Sequence, residues 1–231
     1  MIPFRLAANT YLLLYPGLAI DVDAVVGLVM LGGEAVIIDS GSGLPPSIAL
    51  IYQSLATLNL RPSRIRVVVN THCHLPNSGG DYWFHGQGAL IAARWPDSRG
   101  IETGDPALTA SEDYGARLKP TPVGITIRPG EDYVIVEDPV KVTAIHTPGH
   151  TPGSQSVVVE DSDKTLIFVG DALGRLKKAW GSDPKDWARS LERIRGVEAD
   201  ILCTSVSCYE GRAARSIVEE AMNRGPEWID G

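Results

Sequence analysis

Residues 67–80, VVVNTHCHLPNSGG, constrain the fold of this chain more than any other stretch. Val67, Val68 and Val69 form a β-branched, wholly apolar run, which predicts a strand covered on both faces. That strand delivers Thr71, His72, Cys73 and His74 to its end, before Pro76, Gly79 and Gly80 turn the chain. Side chains alternate in extended backbone, so His72 and His74 point one way and Cys73 the other. One ion can then meet both imidazoles.

The pattern around this stretch is layered. Apolar runs at 10–15, 24–31 and 35–38, separated by Pro16-Gly17 and Gly32-Gly33, predict antiparallel strands joined by tight turns. Ile48, Ile51, Leu55 and Leu58 recur every three or four residues and predict an amphipathic helix over 47–58, stopped by Arg61-Pro62. A further short strand is expected at 89–92. Between 95 and 124 the periodicity is lost, apart from a possible helical turn within 107–118, and a connection of this length is expected to act as a lid or rim. Strands resume at 125–127, 133–136, 140–145, 155–159 and 166–169. A helix opens at Ser182-Asp183-Pro184, where a capping residue precedes a first-turn proline, and Gly196 closes it. A buried strand at 200–204 and a last helix over 212–223 complete the chain.

Each half, 1–94 and 125–231, therefore carries a sheet with helices, and each runs an apolar strand into an acidic-glycine corner, VIIDSG and LIFVGDAL. We read residues 1–231 as one domain of the α+β class, an αββα sandwich of two mixed sheets. Helices must cover both outer faces, because each sheet would otherwise leave an apolar side in water.

With 231 residues, 44% of them apolar, the chain can bury a sizeable core without staples. Its cysteines, Cys73, Cys203 and Cys208, are odd in number and lack C-x-x-C spacing, which predicts neither a disulfide framework nor a zinc knuckle. A reducing cytoplasm suits them. The apolar runs at 12–14 and 25–31 are too short to span a bilayer, so no membrane partner is expected. A net charge of −7 argues against nucleic acid, although Arg175, Lys177 and Lys178 offer a local meeting point for an anionic small molecule.

Two more places can reach a metal. Residues 144–154, AIHTPGHTPGS, make a rigid Pro/Gly loop at a strand end, in which either His146 or His150 is available as a ligand. The strand at 166–169 ends in Gly170-Asp171, a carboxylate at a strand terminus. Histidines and a carboxylate at strand ends suit zinc or iron(II).

THCHLPNSGG, HTPGHTPGS and FVGDAL, in this order, resemble the second, third and fourth motifs of the metallo-β-lactamase superfamily. IIDSG resembles the first, and SLERIRGVEADIL the stretch before the fifth. The resemblance implies an αββα sandwich with a metal site at one edge between the sheets. It selects His150 over His146, and it implies His72, His74 and His150 as ligands of one metal, with Asp171 as ligand or as the base that orients the attacking water. The departures fall together. Pro76 and Asn77 stand where the family's second motif has an aspartate and a histidine, and Ser205-Val206-Ser207 aligns with the fifth-motif histidine. All three positions serve the second metal in two-metal members.

The expectation is one divalent ion, zinc first and iron as the alternative, in a metal-dependent hydrolase acting on a small molecule. Without a carboxylate at position 76 its hydrolysis should be weak or unusual. Two other readings stand beside it. One is a persulfide-dioxygenase-like oxidoreductase with iron on His72, His150 and Asp171; the other is a degenerate fold retained for binding or scaffolding. Bland roles are expected for several neighbours: His146 and His85 structural, Cys203 and Cys208 small buried hydrophobes, Thr71 a brace for its loop, and Asp39 either a support for a ligand histidine or a turn carboxylate.

Overall fold

In the computed structural model, which describes residues 3–229, thirteen strands form two sheets. The first holds β1 (Phe4–Arg5), β2 (Thr10–Leu14), β3 (Val26–Leu31), β4 (Glu34–Ile38), β5 (Ile65–Val69), β6 (Leu90–Arg94) and β7 (Ile125–Ile127), side by side in chain order. Pairing is antiparallel through β4 and parallel from β4 to β7. The second sheet holds β8 (Tyr133–Val136), β9 (Lys141–His146), β10 (Gln155–Asp161), β11 (Lys164–Gly170), β12 (Ile201–Thr204) and β13 (Cys208–Glu210). Its β11–β12 pair is parallel and the others are antiparallel, so both sheets are mixed.

Strand periodicity decides what each sheet buries. Val36 and Ile38 of β4, Val67 and Val69 of β5, and Leu166 and Phe168 of β11 meet between the sheets. The alternate residues Ile37 and Val68 face the opposite way, onto α1 (Pro45–Thr57) and α3 (Asp81–Gly86) through Ile51, Leu55 and Phe84. On the far side Ile167 and Val169 pack on α5 (Pro184–Gly196) and α6 (Arg212–Arg224), through Trp187, Leu191, Ile194 and Val218. The uninterrupted apolar run of β5 is thus explained by cover on both faces. The α+β sandwich with helices outside is the fold read from the sequence. At the start of α5, Asp183 accepts from the amides of Lys185 (2.7 Å) and Asp186 (2.9 Å), with Pro184 in the first turn.

Three differences from the sequence reading bear on the site. The chain leaving His74 is helical, not a plain turn: α2 (Leu75–Ser78) starts there, with Pro76 in its first turn, where a missing N–H leaves no helical bond unmade. The segment 95–124 contains a helix, α4 (Asp97–Thr103), and a 3₁₀ turn over Ser111–Tyr114, with Ile101, Thr109, Ser111 and Leu118 buried. Cys203 and Cys208 are bridged, which corrects the expectation of unpaired small hydrophobes. They lie directly opposite one another on β12 and β13, and with that pair joined the cysteines no longer argue for a reducing compartment. Among the described residues no helix is long and apolar enough to cross a membrane.

Candidate metal centre

Six strand ends meet at one edge of the sandwich: β4 leads to Asp39, β5 to residues 70–74, β9 and β10 flank 147–154, β11 leads to Asp171, and β12 to Ser205. His72, His74, His150 and Asp171 converge there, with one donor atom from each lying within 4.8 Å of every other. The three imidazoles are buried, and their ring centroids are 4.6, 4.8 and 4.9 Å apart. Asp171 keeps 28% of its side-chain surface, which leaves one side of the cluster accessible.

Hydrogen bonds fix which nitrogen is free in two of the three rings, His150 and His72. His150 Nδ1 donates to the Arg175 carbonyl at 2.8 Å, leaving a lone pair on Nε2. His72 Nδ1 lies 3.2 Å from Thr71 Oγ1, which itself donates to Asp39 Oδ2 at 2.9 Å, so the hydroxyl accepts from the ring and His72 Nε2 is bare. That Nε2 is buried with no hydrogen-bond partner. His150 Nε2 faces His74 Nδ1 at 3.1 Å, and Asp171 Oδ2 lies 3.6 Å from both His72 Nε2 and His150 Nε2. Zinc with bonds of about 2.0–2.1 Å in a tetrahedron spaces its ligand atoms about 3.3 Å apart, close to these separations. Bare nitrogen lone pairs converging on one point with a carboxylate fit a divalent cation, and buried polar atoms otherwise seldom lack partners.

Electrostatics agree. Burial drives the His72 imidazole down to about 3 against the opposing pull of Asp171, and drives His74 well below its ordinary value, so both rings are neutral and able to ligate at neutral pH. Burial alone would raise Asp171, but the His150 and His72 rings and the Ser205 hydroxyl outweigh it and hold the carboxyl below its usual range.

Supporting groups hold the loops. Asp39 accepts from the Thr71 amide at 2.7 Å and from Asn77 Nδ2 at 2.8 Å, and burial pushes its carboxyl up to about 7. Gly170, at φ +54°, lets β11 reach this brace: a Cβ there would sit 2.4 Å from Thr71 Oγ1. Asp97, at the start of α4, accepts from the Cys73 amide (3.0 Å), the Thr151 hydroxyl (2.7 Å) and the Gly153 amide (2.8 Å). One buried carboxylate thereby ties the His72–His74 loop to the loop carrying His150. Trp180 covers the rings of His74 and His150 at 4.7 and 5.1 Å. The sequence reading missed both Asp97 and Trp180. It did place Cys73 away from its histidine neighbours, and Cys73 Sγ indeed turns to the Leu108 carbonyl.

The positions that the resemblance assigns to a second metal are filled by the chain's own groups. Asn77 Nδ2 donates to Asp39 Oδ2 and, at 2.9 Å, to Ser205 Oγ, the hydroxyl that also bonds to Asp171. Pro76 offers only its carbonyl, which accepts from the Ala24 amide at 3.1 Å. His146 lies outside the cluster, accepting at Nδ1 from the Gly130 amide at 2.9 Å, and His85 is exposed on α3. Arg175 and Lys177 are engaged in ion pairs with Glu227 (3.0 Å) and Asp113 (2.9 Å). The Asp113 pair brings the 3₁₀ turn to the rim of the site, where burial and then the Asp171 charge push the neighbouring Tyr114 up to about 12.

Comparison with known proteins gives one family. A family model of the metallo-β-lactamase superfamily matches residues 19–206. A probable metallo-hydrolase of Methanocaldococcus jannaschii is 25% identical over 150 residues, 62% of this chain, and the match spans 65% of that relative's length. Among solved structures, the subclass B3 metallo-β-lactamase MEM-A1, isolated from a soil metagenome library, aligns with a TM-score of 0.78 at 21% identity, over 97% of this chain and 94% of its own. BJP-1, a subclass B3 enzyme of Bradyrhizobium japonicum, aligns at 0.75 and 21% identity, over 96% and 90%.

Proposed function

The chain belongs to the metallo-β-lactamase superfamily, and we propose that it is a hydrolase of small-molecule substrates working with a single divalent ion, zinc, on His72, His74 and His150. The observation that carries the reading is the asymmetry of the site. Four donor atoms converge, His72 Nε2 among them with no hydrogen-bond partner, whereas Asn77, at a second-metal position, is hydrogen-bonded to Asp39 and to Ser205. Three imidazoles leave a position for water, and bound zinc supplies a lowered water pKa and a polarising charge for a carbonyl or phosphoryl oxygen.

The chain's own residues supply the rest. Thr71 and the Arg175 carbonyl hold His72 and His150 with their Nε2 atoms inward. Asp171, ionised at neutral pH and partly open to solvent, is the group placed to accept a proton from the attacking water and hand it to the leaving group. Trp180 keeps bulk water off the back of two ligand rings. Proline at 76 supplies no carboxylate to orient the nucleophile, so turnover should be slow and β-lactam hydrolysis poor. Zinc titration of metal-stripped protein, followed by ester, thioester and lactam hydrolysis, tests the reading. Slow hydrolysis that saturates at one equivalent supports it. Activity requiring two equivalents, iron as the metal found after purification without chelator, or no hydrolysis of any class would refute it.

A further inference from the structure

Asp171 is the one member of the cluster that is not fully buried, and a carboxylate open on one side is fixed by its bonds more than by packing. Its neighbour across the sheet is Ser205. Gly170 and Thr204 are partners in the parallel β11–β12 pair, so Asp171 and Ser205 leave their strands side by side, and the Ser205 amide donates to the Gly170 carbonyl at 3.0 Å. The Ser205 carbonyl accepts from the Val25 amide at 2.9 Å. The turn itself is held as well: Thr204 Oγ1 accepts from the Val206 and Ser207 amides at 3.1 Å, and the Cys203–Cys208 bridge joins the strands on either side.

The direction of each bond follows from what the atoms can do. Asn77 Nδ2 only donates, and it gives one proton to Asp39 Oδ2 at 2.8 Å and the other to Ser205 Oγ at 2.9 Å. With its oxygen accepting from Asn77, the Ser205 hydroxyl turns its own proton to Asp171. Asn77 is wholly buried on α2, where its carbonyl accepts from the Ser40 amide at 2.6 Å. A rigid, buried chain of donors therefore ends on Asp171.

We propose that Asn77 and Ser205 are positioning residues, which hold the Asp171 carboxylate toward the point where His72, His74 and His150 converge; this rests on the single-ion hydrolase reading above. The polar groups that fill the second position then serve the first. Neither residue touches the ion or the substrate, and each acts only through the direction in which Asp171 points.

Zinc affinity is measured by competition with a coloured chelator, and turnover of the zinc-loaded protein with p-nitrophenyl acetate. Ser205→Ala should raise the zinc dissociation constant about tenfold and lower kcat about tenfold, with KM within about twofold, since the hydrogen-bond partners of metal ligands are worth about 10–100-fold. Ser205→Thr keeps the hydroxyl and should stay within about threefold of wild type in both readings. Asn77→Ala frees the hydroxyl to turn away and should move both in the same direction by about threefold, which decides the matter if threonine does not fit the turn. Thr10→Ala removes a buried bond of the same kind, from Thr10 Oγ1 to Asp161 Oδ2 at 2.8 Å, at the end of β10 away from the cluster. It should lower Tm and leave zinc affinity and kcat unchanged. Unchanged zinc affinity and kcat in both Ser205→Ala and Asn77→Ala would overturn the proposal. So would a folded Ser205→Thr protein as impaired as Ser205→Ala, or an equal loss of zinc affinity in Thr10→Ala. Weaker zinc binding by Ser205→Ala, with no hydrolysis by the wild type, would overturn the hydrolase reading and leave the positioning role standing.

Discussion

The loop after β5 ends in two neighbouring regions with opposite chemistry. In one, His72, His74 and their distant partners His150 and Asp171 turn nitrogen lone pairs and a carboxylate oxygen toward a common point. In the other, three residues further along, Asn77 meets Ser205 and Asp39 in direct hydrogen bonds of 2.9 and 2.8 Å. The difference lies in what each side chain has left over. An imidazole that donates through one nitrogen keeps a lone pair on the other, whereas the Asn77 amide nitrogen is a donor with two acceptors already in place. A shared fold can thus hold one ion site open while filling the adjacent one with its own polar groups.

The largest expected effect comes from breaking the open half. His150→Ala should reduce bound zinc from one equivalent to near none. With free zinc at 100 times its dissociation constant, the wild type should gain about 2.7 kcal/mol, or roughly 5–10 °C in Tm, and the variant should lose that gain in a thermal melt. Asp97→Ala tests the tie between the two histidine loops. It strands three donors in the interior, and urea unfolding should show a loss of about 2–4 kcal/mol together with weaker zinc binding.

A pH measurement reads the layer beneath the closed half. Burial pushes the Asp81 carboxyl from 3.8 up to about 8, opposed by its bonds to Ser40 and Asn70. The folded protein keeps a proton on Asp81 that the unfolded chain has released, so the Asp81 contribution to metal-free stability should fall as pH rises between roughly 4 and 8, by at most about 1.4 kcal/mol per unit. Asp81→Asn, which has no proton to release in that range, should remove that contribution, so that the wild-type profile falls relative to the variant's as pH rises. Within the closed half itself, Asn77→Ala should cost about 1–2 kcal/mol and leave the zinc stoichiometry at one. A second equivalent bound by that variant would contradict the reading that these positions, besides being filled by hydrogen bonds, lack the ligands for a second ion. The smallest effect is His146→Ala, which should change zinc content not at all and stability by less than about 0.5 kcal/mol.

Much of this was legible in the sequence because it rests on local periodicity. The unbroken apolar runs of β4, β5 and β11 announce strands buried on both faces, and Asp183-Pro184 marks the start of α5 at its cap. The histidines announce themselves by type and by strand-end position. Asp97 had no such signal: its partners Cys73, Thr151 and Gly153 lie 24, 54 and 56 residues away, and α4, DSRGIET, has Ile101 as its one large apolar residue. Trp180 and Tyr114 likewise reach the site through tertiary placement. The Cys203–Cys208 bridge escaped because β13 is only three residues long; reading a hairpin around Ser205-Val206-Ser207 would have set the two cysteines opposite each other.

The central claim is one ion in the open half and none in the closed half. An anomalous difference map of zinc-loaded crystals, with elemental analysis of the same sample, tests it directly. The account predicts one peak enclosed by His72 Nε2, His74 Nδ1, His150 Nε2 and Asp171, and one equivalent of metal per chain; a second peak beside Asn77 and Ser205, or no peak among the histidines, would contradict it.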